Sequence, residues 1–305
     1  MKNRFVCANW REKILYLFIA LCLLITSAVV VIVIGYILIK GIPHISLDFL
    51  TKSYRPGLGE TGIWPMIQTT LLLVVVTVAI AMPIGIAAAV YLHEYSPKGR
   101  WVDWIRFATE CLTGIPSILY GLFGFALFVT VLQFNYTILS GALTLSVMVL
   151  PIIMRTTEEA LASVPNALRE ASYALGAGKL TTIVKMVLPS AVGGILTGAV
   201  LSVGRIVGET AAVIYTVGTA AGAVKGVLSP GRTLAVHVYM LTKEGTDVNQ
   251  AFAAAAVLLI LVLVINRFAG WIAGVLSPQE RAEREEKREK KKQAKLQNEQ
   301  GGTSA

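Results

Sequence analysis

Two pairs of opposite charges stand within or beside long apolar runs: Arg155 with Glu158, and Arg205 with Glu209. An ionised side chain in mid-bilayer costs roughly 2.5–3.5 kcal/mol even on a lenient insertion scale, so these groups are expected to face water or protein rather than lipid. Residues three or four apart on a helix share a face, which puts each pair on one side. A guanidinium stays protonated and presents planar, paired donors that match two oxygens of an oxyanion. A carboxylate beside it keeps the well from holding an anion too tightly. The residues therefore suit an anion path, with Arg205, Glu209, Arg155 and Glu158 along it and Ser117, Tyr120 and Thr210 as candidate hydroxyl donors. The plainer alternatives are a supporting ion pair for Arg205 and Glu209, snorkelling to the boundary for Arg155 and Glu158, and packing for the hydroxyls.

Covalent chemistry finds no support. The sequence contains no GxxxxGK[ST], HExxH or GxSxG string and no Cys/His cluster, so neither nucleotide hydrolysis nor a metal site is expected of this chain. His44, His93 and His237 are isolated at run ends or in loops and read as interfacial residues. Cys7, Cys22 and Cys111 are too scattered for a disulfide framework.

The elements that must position these residues are membrane helices. Of 305 residues, 55% are hydrophobic and 15% charged, against about a quarter charged in ordinary soluble domains. The formal charge of +9 is a matter of topology rather than of nucleic acid. Apolar runs near 14–39, 65–92, 107–131, 136–157, 189–218 and 249–275 predict an all-α, six-span protein. The first run is too long for a cleavable signal peptide and is expected to stay as a helix. With six spans both termini share a side, and that side collects 19 Lys and Arg against 6 on the other. The asymmetry predicts cytoplasmic termini. The chain thus divides into an inner N-terminus (1–13), a first helix (14–39), an outer loop (40–64), a core (65–275) and a charged inner tail (276–305). In the tail Glu280/Arg284, Glu283/Lys287 and Glu286/Lys290 recur at i, i+4, as in a solvated helix.

The longest inner link, 158–189, is not a plain linker. Ser163 and Pro165 predict a helix start, Leu168, Ala171 and Leu175 fall on one face, and Gly176 and Gly178 stop the helix. The string Glu170-Ala171-Ser172, with Gly176 six residues after the Glu and then Leu188-Pro189, is similar to the EAA loop of ATP-binding-cassette importer permeases. It departs in Ser172 for the second Ala and Met186 for Ile. A short amphipathic helix closed by Gly offers a knob that a groove on a separate ATPase can grip. Gly204-Arg205-Ile206-Val207-Gly208-Glu209-Thr210-Ala211, Arg155-Thr156-Thr157-Glu158, the stretches 83–92 and 233–239, and the run Gly114 to Gly124 with Pro116 and Gly121 narrow the resemblance. They resemble the phosphate-specific importer permeases, and the A-type subunit in particular, over roughly residues 60 to 275.

That resemblance implies a type I importer permease fold in a bacterial or archaeal plasma membrane. It also implies partners: a second homologous permease, a pair of cytoplasmic ATPases, and an extracytoplasmic phosphate-binding protein. ATP and Mg belong to the ATPase, and this chain is expected to bind no cofactor. Glu170, Ala171, Gly176, Leu188 and Pro189 become coupling residues. Phosphate keeps a proton near neutral pH and can donate it to a carboxylate, which sulfate cannot do, so the Arg and Glu mixture suits phosphate. Gly114, Pro116, Gly121 and Gly124 predict irregular or closely packed backbone in the third span. The alternatives are a permease of the same superfamily for sulfate, molybdate or another solute, and, further off, a secondary transporter or channel; a membrane enzyme fits worst.

Overall fold

A computed structural model describes residues 10–276 except 56, 58, 59, 97, 98 and 246. Cys7, Lys98 and the charged tail lie outside the described residues. The helices in chain order are α1 (Trp10–Gly41), α2 (Leu47–Thr51), α3 (Trp64–Val90), α4 (Arg100–Thr113), α5 (Ser117–Gly124), α6 (Ile138–Ala162), α7 (Asn166–Ala174), α8 (Lys179–Thr182), α9 (Leu188–Gly208), α10 (Ala211–Thr216), α11 (Leu234–Glu244) and α12 (Val248–Leu276). π-helical turns extend α3 to Tyr95, carry α5 to Val131, and join α8 to α9. Two short strands, β1 (Tyr54–Arg55) and β2 (Glu60–Thr61), pair antiparallel.

Among the described residues five helices are long and apolar enough to cross a membrane, and a sixth span exists if the bent pair α4 and α5 is counted as one. Four of the six expected runs match with small shifts of boundary. The third does not form a straight 107–131 helix: it breaks between Thr113 and Ser117 with a bend of 101°. Pro116 is the cause on the α5 side, since a ring-locked residue cannot continue α4 and instead opens the next helix (φ −58°, ψ 138°). The fifth run also differs. Its helix starts at Lys179, ten residues before the expected 189, and α9 ends at Gly208 rather than 218.

The bundle is built around α6, which packs along α3 on one side and α9 on another, while α12 packs on α9 and carries α1. α6 is buried along most of its length and carries its own polar groups inside. Thr144 Oγ1 donates to the Ser140 carbonyl at 2.8 Å, and Ser146 Oγ to that of Ala142 at 2.7 Å. Small residues let its neighbours close in. A Cβ on Gly124 would collide with Thr144 of α6, and one on Gly121 would come 2.8 Å from Ala212 Cα of α10. The expectation of close packing at Gly121 and Gly124, and of irregular backbone at Gly114 and Pro116, agrees with this geometry. α1 is exposed along nearly its whole length and touches the bundle near its C-terminal end, where Tyr36 packs edge-on against Phe252 of α12. One end of the bundle is capped by α2, the β1–β2 hairpin and α11 around Phe49, Ile63, Met66, Leu234 and Leu241. The other end carries α4, α7 and α8.

Candidate functional site

At the α7 end the short helix expected in the 158–189 link exists, two residues shorter at its start than Ser163 suggested. α6 runs on to Ala162, Ser163 caps it, and Pro165 opens α7. The stop falls as expected: α7 ends at Ala174 and Gly176 follows in the left-handed region at φ +81°. Gly178 begins α8. Glu170, Ala171, Tyr173 and Leu175 point outward, with Leu175 89% exposed. Ser172 is buried instead, its hydroxyl 2.9 Å from that of Thr182 on α8. The departure from Ala at this position therefore has a partner, and it ties α7 to α8. Leu188 and Pro189 are half-buried at the start of α9, where Pro fits because the first turn needs no N–H.

What anchors α7 escaped sequence reading. Arg169 reaches back to Glu94, at the end of α3, with N–O distances of 2.7 and 3.3 Å. The same guanidinium donates to the carbonyls of Val164 and Leu161 at 2.7 and 3.0 Å, satisfying the open end of α6. Lys179 adds a cation–π contact, 4.7 Å from the Tyr95 ring centre. Nothing in spacing joins residues 75 apart; the one available signal was a charged residue at the end of an apolar run.

Arg155 and Glu158 share a face of α6, as their spacing requires, and line one cavity of about 280 Å³ at this end together with Arg106, Glu110 and Glu159. They do not pair with each other. Arg155 contacts Glu159 at 3.2 Å and Glu110 of α4 at 3.6 Å, whereas Glu158 contacts Arg106 of α4 at 3.2 Å. Glu158 is the more enclosed, and its Oε1 is buried without a partner. Arg106 and Glu110, which no sequence pattern singled out, thus belong to the cluster.

Arg205 and Glu209 are where the sequence expectation fails. Four residues apart implies one helical face only if the helix continues, and α9 stops at Gly208. Glu209 has extended backbone (ψ 128°), and its carboxylate accepts from the N–H of Ala212 at 3.2 Å, opening α10. Gly204 and Gly208 weaken the last turn, and a side chain able to bond forward competes with helix continuation. Arg205 lies on the exposed side of α9 with no ion partner among the described residues. Thr210 is half-buried and bonds weakly to the Gly208 carbonyl at 3.4 Å. Ser117, half-buried, opens α5, and Tyr120 is committed elsewhere, its hydroxyl donating to the Leu112 carbonyl at 2.8 Å.

At the opposite end His237 is wholly buried rather than interfacial, beneath Tyr54 and beside Arg232 at 3.4 Å. Burial, and then the neighbouring guanidinium, push its pKa down to about 3. A groove of about 1040 Å³ opens nearby between the Asn135 turn and the Tyr215–Pro230 stretch. Among the described residues no group of three or more His, Cys, Asp or Glu is placed to hold a metal.

Residues 81–281 match the family described as the binding-protein-dependent transport system inner membrane component. The chain belongs to that family. The permease is 35% identical over 272 residues to the probable ABC transporter permease protein YqgI of Bacillus subtilis, covering 84% of this chain and 92% of that one. It is 37% identical over 237 residues to the phosphate transport system permease protein PstA 1 of Mycobacterium tuberculosis, covering 76% and 77% of the two chains. Its fold is that of type I ABC importer permeases. It superposes on a bacterial ABC transporter that imports alginate with a TM-score of 0.60 at 17% identity, over 87% of this chain and 97% of the other. It also superposes on the inward-facing methionine transporter MetNI at 0.55 and 21% identity, over 70% and 94%. With this family the permease is an inner-membrane component.

Proposed function

We propose that this permease carries inorganic phosphate inward as one membrane subunit of an ATP-driven importer, with both termini and the α7 end in the cytoplasm. The observation that carries the proposal is α7 itself. Pinned to α3 and α6 through Arg169 and closed at Gly176, it leaves Glu170, Ala171, Tyr173 and Leu175 outward, a surface suited to the groove of an ATPase pair that holds ATP and Mg. Closure of that pair pulls on α7, and the Arg169 anchor passes the pull to α3 and α6 without slack. A second homologous permease covers the exposed sides of α5 and α9, and an extracytoplasmic phosphate-binding protein delivers the anion at the α11 end.

Phosphate is favoured over other cargo by the relatives named as phosphate permeases, at 35–38% identity, and by the charged groups themselves. Arg205 stands exposed on α9 with no carboxylate holding it among the described residues, and Arg155 lines the cavity with Glu158. A guanidinium with no fixed partner is available to an oxyanion, and a carboxylate next to the path accepts the proton that phosphate keeps. Coordinating Arg155 and Glu158 with Arg205 gives two stations along one route. Affinity capture with a tagged copy should bring down a second permease and an ABC ATPase, and membranes holding the complex should take up labelled phosphate in competition with arsenate but not sulfate or molybdate. Sulfate competing as well as arsenate sinks the phosphate assignment while leaving the α7 assignment intact.

A further inference from the structure

We propose that α4 is the inner gate of the path, latched shut where Glu110 occupies the Arg155 guanidinium and Arg106 holds Glu158. The proposal rests on the permease reading and adds to it a moving part and two residues, Arg106 and Glu110.

α4 is joined to the bundle in an unusual way. Of its fourteen residues only Val102 is buried, and Trp101 and Trp104 remain 84% and 66% exposed. An apolar interface therefore does not fix it in place. Among the described residues it is held by the two ion pairs to α6, by Val102 and by the joint with α5. That joint is short: Gly114 keeps helical angles, Ile115 follows, and Pro116 is extended. A few element-terminal residues that absorb a change in φ and ψ are what a hinge requires. Tyr120 reaches across the bend to the Leu112 carbonyl, which braces the α5 side of the joint.

The two pairs have the character of a latch and not of a weld. Arg155 and Glu110 are 62% and 66% exposed, Arg106 45%, and half-exposed pairs contribute little to stability. Arg155 has a second carboxylate, Glu159, but that group sits on the same helix and travels with it. Glu110 is the partner that a swing of α4 removes. While it is present, one side of the planar fork is taken and an oxyanion cannot bind there through two oxygens. Once α4 moves away, the fork opens towards the cavity and Arg106 leaves Glu158, whose other oxygen is already buried without a partner. A partly protonated phosphate supplies both needs, oxygens for Arg155 and a donor for Glu158. Glu110 thus acts as a stand-in for the anion, holding the gate closed while the ATPase pair is closed.

Thr109 of α4 and Met154 of α6 line the same cavity from its two sides. In the assembled importer, with the three native cysteines replaced, Thr109→Cys and Met154→Cys are treated with a short cleavable dithiol cross-linker. The cross-link should form several-fold more readily with the ATPase pair trapped by ATP and vanadate, when the inner side is shut, than without nucleotide. It should also stop ATP turnover until the linker is cleaved. Yields independent of nucleotide, or higher without it, overturn the gate. Separately, with the ATPase pair trapped by ATP and vanadate so that the inner side is shut, Glu110→Gln should let labelled phosphate leak from loaded vesicles, and Glu110→Asp should leak less. Vesicles that stay tight with Glu110→Gln, in an importer that still takes up phosphate, overturn the latch. If the cross-link follows nucleotide but phosphate neither leaks nor is taken up by any variant, the cargo is wrong and the gate stands.

Discussion

Glu94 Oε1 lies 2.7 Å from Nη2 and 3.3 Å from Nε of Arg169, joining the end of α3 to α7 with both side chains nearly buried, at 7% and 12% exposure. The same guanidinium closes the end of α6, so a single side chain fixes the angle between three elements. Breaking a buried pair by removing one partner costs about 3–5 kcal/mol, because the remaining charge is stranded. Arg169→Gln is therefore expected to loosen α7 while the spans still insert. Co-purification of the ATPase should fall sharply and uptake with it. Arg169→Lys should recover little, since a point charge cannot serve Glu94 and two carbonyls together. Pull-down yield at matched membrane abundance is the measurement, and an undiminished yield with Arg169→Gln contradicts the anchor.

Gly176 presents a cleaner test of the knob. Its φ of +81° suits glycine, and a Cβ there would meet nothing within 4 Å, so the whole cost of substitution is in the backbone. That cost is roughly 1–2 kcal/mol for a residue with a Cβ. Asn tolerates the left-handed region best. Gly176→Asn should keep most ATP-dependent uptake, Gly176→Ala lose part, and Gly176→Val lose nearly all, in that order. A ranking by side-chain volume with Asn no better than Val points instead to a contact with the ATPase itself.

His237 ties the α11 cap to pH. With its pKa near 3 in the folded chain and about 6.5 when unfolded, it is neutral in both states above pH 6.5. Below that the unfolded chain gains a proton that the folded chain refuses. Stability present above pH 6.5 is thus lost as pH falls towards 3, by up to about 1.4 kcal/mol per pH unit from this group. His237→Gln removes the titration. Thermal unfolding of the two proteins in detergent from pH 7.5 to 4.5 should show a steeper fall for the parent chain, and parallel curves rule the effect out.

The membrane helices and the α7 motif were legible because they rest on local rules. A 20-residue apolar run, a proline that opens a helix and a glycine at a helix end each act within a few residues. The tertiary pairs were not. Glu94 with Arg169 and Arg106 with Glu158 join residues from different spans, and a charge beside an apolar run looks the same whether it snorkels or pairs. His237 misled for the same reason, since Tyr54 of β1, which packs on it, lies far off in sequence. Arg205 and Glu209 failed differently. Their spacing was read with helical periodicity across Gly208, where two glycines and a forward-bonding carboxylate end the helix.

That break changes what Arg205 and Glu209 should do when altered. A supporting ion pair predicts that removing Arg205 strands a carboxylate and that Arg205→Gln with Glu209→Gln restores function. Here Glu209 is instead satisfied by the Ala212 N–H, so the two changes should act separately. Arg205→Gln should fold and assemble as the parent does and lose uptake, with Arg205→Lys recovering part because the charge returns without the fork. Glu209→Gln keeps an acceptor oxygen and should preserve α10, whereas Glu209→Ala loses the cap at a cost of roughly 1 kcal/mol and should lower thermal stability. The double neutral variant should be no better at uptake than Arg205→Gln alone. Labelled phosphate uptake and melting temperature, measured on all five variants at equal abundance, separate the roles; restored transport in the double variant returns Arg205 to a structural pair and removes it from the path.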